Sequence, residues 1–461
     1  MKRTRLAAAL CALALLATAC SRSDNKTTAS ASSSTGSSAT ASSADDATLL
    51  ANGGFGDLAS VCGPAAAGTT NAGGDTGVTA SEVNIGVMDD RTNTVRPELN
   101  REMYDTAKAF ESWCNSFGGI NGRKVVVNDR ETKLFEYDSV LDTACEQDFA
   151  LVAGGSALDD DKGNKRVGCG LPSIPGYVVS PTARTAALQV QPVPNPVYIQ
   201  QTGQYTAMDA LVPGSLKAYA NLVGALPAVL VTAQAEKEAV TLIGGNVVYD
   251  KQYNVTGEAD WSPFVLDMKA AGVKMLEFVG EPENLGQLQK QMAQQAYYPD
   301  LTILTPNFYD ATYLATYGAV AQNTYIRTSF TPFEMASQNK ATQDYLDLMA
   351  KYNPQGKSNA VLGAQSMSAL LLFAQSAKAC GATLTRACLL DKAKAVHDWT
   401  GGGLHATDDP GANTPSPCFA LLKVTPTAFE YDKTSTKPNQ GIFNCSPANL
   451  TELKGDYGVP R

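Results

Sequence analysis

Histidine is nearly absent: the 461 residues hold two, His397 and His405. Neither belongs to an H-E-x-x-H pair or to another metal-ligand spacing. No C-x-x-C pair occurs, so zinc and thioredoxin-like chemistry lack their usual ligands. There is no P-loop and no dinucleotide-type G-x-G-x-x-G. Gly154-Gly155-Ser156-Ala157-Leu158 lacks the second glycine of a nucleophile elbow. The acidic run Asp159-Asp160-Asp161 reads as a solvated loop rather than a cation site. The sequence therefore predicts no catalytic residue, no metal and no cofactor. Basic runs are missing too, and a formal charge of -9 argues against nucleic acid as a partner. Beyond residue 19 no apolar run approaches the roughly 20 residues that a membrane-spanning helix needs.

What is present begins with a leader. Lys2, Arg3 and Arg5 precede an apolar run from Leu6 to Ala19, the pattern of an export signal over residues 1–19. Leu16-Ala17-Thr18-Ala19-Cys20 resembles a bacterial lipoprotein cleavage box. That resemblance implies lipidation of Cys20, palmitate included, and anchoring at the outer face of the cell membrane. Loss of the three basic leader residues would take the charge from -9 to -12. Residues 21–51 are almost all Ser, Thr, Ala and Asp, too poor in apolar surface to offset their ordering entropy. Residues 20–77 are thus expected to form a flexible tether and an N-terminal arm. About 400 residues follow the leader and tether, enough for two or more domains.

Without Cys11 and Cys20 the chain has Cys62, Cys114, Cys145, Cys169, Cys380, Cys388, Cys418 and Cys445. An even set in an exported chain points to disulfides, of which eight cysteines permit 105 pairings. Cys380–Cys388 and Cys418–Cys445 are the two pairs expected first.

Along the body, apolar periodicities of two and of three to four alternate. Val83, Ile85 and Val87 mark a strand. Leu99, Met103, Ala107, Phe110, Trp113, Cys114 and Phe117 mark one face of a helix, closed by Gly118-Gly119. Val125–Val127 is the next strand. Asp138 is expected to cap a helix carrying Val140, Leu141 and Ala144, and strands follow at Ala150–Ala153 and Leu171–Ile174. Pro192–Pro196 breaks the rhythm and reads as a connection between domains. The rhythm resumes with strands at Val240–Ile243, Met275–Val279 and Leu301–Leu304. Helices are expected around Phe264–Ala271 and Leu285–Met292, then over Ala341–Tyr352 and Ala360–Ala379. Phe419–Val424 and Ala428–Tyr431 look like a hairpin. Alternation of this kind means parallel sheets covered by helices on both faces.

With Phe117-Gly-Gly-Ile-Asn-Gly-Arg123, Asp260-Trp-Ser-Pro-Phe264, Gly280-Glu-Pro-Glu-Asn-Leu-Gly286 and Trp399-Thr-Gly-Gly-Gly-Leu404, the chain resembles the branched-chain amino-acid-binding, leucine-binding-like family. These are ABC-transporter receptors of the type I periplasmic-binding-protein class. The resemblance covers about Val83 to Val424. It implies an α/β, two-lobed fold, each lobe a parallel sheet with helices on both faces, joined by three crossover segments. Lobe one would hold 78–200 and 332–415, lobe two 201–331 and 416–461. It also implies Cys145–Cys169 and, with it, Cys62–Cys114.

In open parallel sheets, ligands sit beyond the carboxyl ends of the strands, and the resemblance places particular residues there. On lobe one these are Asp89, Asp90 and Arg91, then Ser156 with Ala157, then Tyr177 and Val179. On lobe two they are Tyr249, Glu281, Asn307 and Tyr309, whereas Trp261 reads as packing. Val179 stands where the family has a threonine, and Asn307 where it has the acidic partner of an amino-acid ammonium. An uncharged amide does not neutralise a buried ammonium, so an amide or another polar metabolite is as good a candidate as a free amino acid. The implied function is capture of a small molecule by hinge closure and delivery to an ABC permease. A sensing receptor of the same fold and an extracellular hydrolase are the alternatives.

Overall fold

The computed structural model describes residues 50–159 and 162–460. The leader, Cys20, the tether up to residue 49, and Asp160 and Asp161 lie outside the described residues.

Sheet one is built from β1 (Glu82–Asp89), β2 (Lys124–Glu131), β3 (Ala150–Val152) and β4 (Ser173–Ile174), in the order β2-β1-β3-β4 and all parallel. The alternation read from β1 sorts its side chains. Val83, Ile85 and Val87 enter the main core with Phe110 and Trp113, while Met88 turns to the opposite face, against Leu141, Ala144 and Leu171. The helix Arg101–Ser116 buries Met103, Ala107, Phe110, Trp113 and Cys114, the three-and-four spacing that places them on one side. Gly119, at φ 76°, ends the turn where a Cβ would lie 1.9 Å from the Arg123 carbonyl oxygen. Helices Lys340–Tyr352 and Val361–Ala379 also pack on this helix.

The chain leaves sheet one through β5 (Ile199–Gln201). Sheet two contains β6 (Tyr219–Gly224), β7 (Val247–Tyr253), β8 (Met275–Val279), β9 (Leu301–Leu304), β10 (Thr324–Thr328), β11 (Cys418–Val424) and β12 (Phe429–Tyr431). Its order is β12-β11-β10-β9-β8-β6-β7. β6 to β10 are parallel, whereas β11 pairs antiparallel with β10 and with β12. Lobe two is therefore parallel-dominated with an antiparallel edge, not wholly parallel. β13 (Asn444–Cys445) adds to β11, and β14 (Leu450–Glu452) pairs with β5. Three connections pass between the layers, after β4, after β10 and before β11.

Two sequence expectations need correction. Val240–Ile243 is not a strand: Val240 to Leu242 form the last turn of the helix Pro227–Leu242 and Ile243 is its C-cap. A short apolar run does not distinguish a strand from a buried helix turn, and here Pro227 starts an Ala-rich helix that carries through it. The strands lie on either side, as β6 and β7. Asp138 does not cap its helix either. Glu136 holds the N-cap without a side-chain bond, and Asp138 lies in the first turn, where its charge suits the helix dipole.

The four bridges are Cys62–Cys114, Cys145–Cys169, Cys380–Cys388 and Cys418–Cys445. From Leu50 onward the arm is folded onto sheet one's helices: Phe55 packs edge-on to Trp113, and Trp113 Nε1 donates to the Leu50 carbonyl at 3.2 Å. No helix among the described residues is long and apolar enough to cross a membrane.

Candidate binding site

A cavity of about 370 Å³ lies between the two layers, within the size range of small-molecule sites. Sheet one contributes the loops after β1, β3 and β4, among them Asn100, Ala157, Tyr177 and Val179. Sheet two contributes the loops after β8 and β9, with Glu281 and Asn307, and the helix Pro227–Leu242. Gln201, Ser329 and Ser416, on the connections, line it as well.

Of the residues nominated from sequence, Ala157, Tyr177, Val179, Glu281 and Asn307 line this cavity. The Tyr177 hydroxyl accepts from Asn100 Nδ2 at 2.5 Å, and Asn307 Nδ2 donates to the Gly280 carbonyl at 3.1 Å. Gly280 is glycine for two reasons: its φ is 151°, and a Cβ there would lie 1.7 Å from the Tyr253 hydroxyl.

The other nominated residues do not line it. Asp90 is fully buried and works as a scaffold. Its carboxylate accepts from Leu134 N at 2.7 Å, from Ala157 N at 2.8 Å and from the Thr132 and Ser156 hydroxyls. One side chain thereby ties together the loops after β1, β2 and β3. Ser156 belongs to that knot, its hydroxyl also 2.9 Å from Thr132 Oγ1. Asp89 and Arg91 pair with each other and, with Asp129, make a cluster in which Arg91 lies 3.9 Å over the Tyr104 ring.

Tyr249 is a core residue of β7, not a lid over a ligand. The family resemblance had placed Tyr249 beyond a strand end, whereas it lies within the strand. Tyr253 ends that strand instead, stacked on Phe278 at 4.9 Å. Tyr309 is buried and donates its hydroxyl to Glu334. Trp261 packs against Tyr253 and Phe264.

Two ion-paired straps span the cavity from one layer to the other. Arg96, in the loop after β1, binds Glu281 and Glu283, its Nε donating to Glu283 at 2.7 Å. Lys357 lies 3.1 Å from Glu102 and 2.6 Å from Asp310, which caps the helix after β9. Burial raises the carboxyl pKa of Glu281 and Glu102, and the paired cations oppose that shift. None of Arg96, Lys357, Arg184, Arg327 or Glu236 was nominated from sequence. Arg327 was detectable in principle, as a charge inside the apolar strand Tyr325-Ile-Arg-Thr328, since unpaired charges are seldom buried.

Asp159 fixes the last lining loop of sheet one. Its carboxylate accepts from Val179 N and Ser180 N, both at 2.8 Å, yet burial lifts its pKa to about 6. The folded state thus holds this proton more tightly than the unfolded chain, so the contribution to stability falls as pH rises from about 4 to 6. Asp159→Asn is expected to remove up to about 3 kcal/mol of that pH dependence. Urea unfolding of both proteins at pH 4 and 6.5 checks it; parallel pH profiles would refute it.

A serine–histidine–aspartate set does exist away from the cavity's solvent side. His405 Nε2 lies 2.9 Å from Ser368 Oγ, and Nδ1 lies 3.2 Å from Asp408. Ser368 is 0% exposed and also accepts from Trp399 Nε1 at 2.9 Å. With no room for a substrate beside the hydroxyl, the set clasps the Trp399–Asp408 turn to the helix Val361–Ala379. Among the described residues no group of three His, Cys, Asp or Glu side chains could hold a metal ion.

Residues 206–430 match the periplasmic binding protein family. No curated protein matches this chain. Its fold is the two-lobed type I arrangement seen in solved periplasmic binding proteins of low sequence identity. A fatty acid ABC transporter substrate-binding protein from Thermomonospora curvata is 14% identical, with a TM-score of 0.66 over 79% of this chain and 95% of that one. A leucine binding protein from Thermotoga maritima is 13% identical, with a TM-score of 0.62 over 76% of this chain and 97% of that one. A branched-chain amino acid transporter substrate binding protein from Streptococcus pneumoniae, in complex with isoleucine, is 17% identical. Its TM-score is 0.61, over 76% of this chain and 99% of that one. The periplasmic binding proteins matched here are solute-binding proteins, not enzymes.

Proposed function

We propose that this protein is an extracytoplasmic solute-binding lipoprotein that captures a small molecule between its lobes and delivers it to an ABC permease. Its lobes would be 78–200 with 332–415 and 201–331 with 416–461, and its anchor a lipid on Cys20. The observation that carries the reading is the interlobe cavity, lined from both sides at the carboxyl ends of parallel strands. A ligand there touches both lobes, so it favours the closed state by whatever contacts the open state lacks. The fold likeness to ABC-transporter receptors supports transport over sensing.

Mass spectrometry of solute released by denaturation, followed by a thermal-shift screen, tests the reading. A bound solute at 100 times its dissociation constant adds about 2.7 kcal/mol of stability. Failure of every polar metabolite to shift the melting temperature would count against it. Arg96→Ala removes one strap and is expected to weaken the screened solute about tenfold, through faster release. Because Arg96 is partly solvated, the unliganded protein should lose no more than about 1 kcal/mol. Stopped-flow dissociation and urea unfolding measure the two; an unchanged release rate would remove Arg96 from closure.

A further inference from the structure

Most charged side chains lining the cavity have an opposite charge within 4 Å, as the two straps show. Arg184, Arg327 and Glu236 are the exceptions: no ion pair within 4 Å is present for any of them among the described residues. They gather where the lobe connections meet the cavity. Arg184 is 7% exposed and gives one Nη to Thr232 Oγ1 at 2.8 Å, across the cleft, while its Nε has no partner. Glu236 is 6% exposed and its Oε2 has no partner. Arg327 reaches Gln201, which in turn donates to the Ser416 carbonyl at 2.6 Å.

Arg184 is buried and Arg327 half-buried, and a guanidinium so placed with no ion-pair partner within 4 Å is costly; the carboxyls around them, Glu236, Glu277 and Asp159, are all pushed up in pKa by burial and so toward their neutral forms. We propose that this end of the cavity takes a carboxylate, so that the solute is an organic acid whose head is held by Arg184 and Arg327. The planar guanidinium fork matches a carboxylate in shape as well as charge. Burial, then the nearby Glu277, raises the Glu236 carboxyl pKa well above its usual range, so Glu236 can donate a hydrogen bond to the head instead of repelling it. Val179, Val193, Leu226 and Val229 line the cavity as well and suit an apolar tail. The inference rests on the solute-binding reading above and narrows it. It assigns the acidic head to Arg184 and Arg327, whereas the family resemblance points to Ser156, Tyr177, Val179 and Asn307 for an amino-acid ligand.

The test uses matched skeletons: phenylacetate, phenylacetamide and phenethylamine, and octanoate, octanamide and octylamine, each titrated by calorimetry and thermal shift. An acid of at least one set should bind, with its amide and amine weaker by about tenfold or more. Arg184→Gln should weaken the acid by about the same factor and leave the amide unchanged. Glu236→Gln should keep acid binding, because that position acts as a donor. If Arg184→Gln does not fold, Arg327→Gln carries the same expectation. Equal binding of acid and amide, acid binding indifferent to both arginine variants, loss of acid binding in Glu236→Gln, or no binding by either acid would each overturn the proposal. A neutral or cationic solute that binds and closes the lobes would sink the carboxylate alone; lobes that close on nothing would sink the binding-protein reading beneath it.

Discussion

Replacing Cys62 and Cys114 together by alanine is expected to lower the unfolding free energy by about 4 kcal/mol, the loop-closure value for the 52-residue separation of the pair. The effect is large because the bridge joins the arm to the helix on which lobe one is built. Cys114 is fully buried on that helix beside Trp113, and Trp113 packs edge-on against Phe55, Phe110 and Phe117. Without the bridge the arm keeps the Phe55 contact and the bond from Gly56 N to Asp344 at 2.9 Å, so it should fray before the lobe unfolds. Urea unfolding gives the free energy, and limited proteolysis of residues 50–77 gives the order of events. An unchanged unfolding midpoint would show that packing alone holds the arm.

Asp90→Ala is expected to cost about 3–4 kcal/mol and to weaken solute binding as well, because it leaves buried donors without an acceptor. The carboxylate holds Leu134 N and Ala157 N as well as two hydroxyls. Its loss frees the loop that carries Ala157 into the cavity, close to Tyr177. Asp90→Asn keeps one acceptor oxygen and should fall between the two. Calorimetric melting and solute titration read both effects; full affinity in a destabilised Asp90→Ala protein would show that these loops do not need the knot to shape the cavity.

The two variants also show where the sequence was informative. Amphipathic periodicity located the helix bearing Trp113 and the strands Met275–Val279 and Leu301–Leu304 with their ends, because a buried face imposes a pattern that local neighbours repeat. It failed at Val240–Ile243, where a short run with three apolar residues fits strand and helix equally well. Tyr249, taken from the family resemblance as a residue over the ligand, lies instead in the core of β7. Lining residues behave differently again. Tyr177, Val179, Glu281 and Asn307 follow strand ends: topology nominated their loops, and the family resemblance picked the positions. Arg184, Arg327 and Glu236 meet only in three dimensions, from a short helix, a strand end and a helix of the other lobe, and no local spacing reports that meeting. Asp90 was found for a reason the structure does not share: it follows a strand, but it braces the site from behind.

Capture in this fold requires the lobes to close around a bound guest. Small-angle scattering of the protein with and without its best-binding solute measures this directly. A smaller radius of gyration on saturation, together with a lower fraction of open conformers, is the predicted result. Saturating binding with superimposable scattering curves would contradict it.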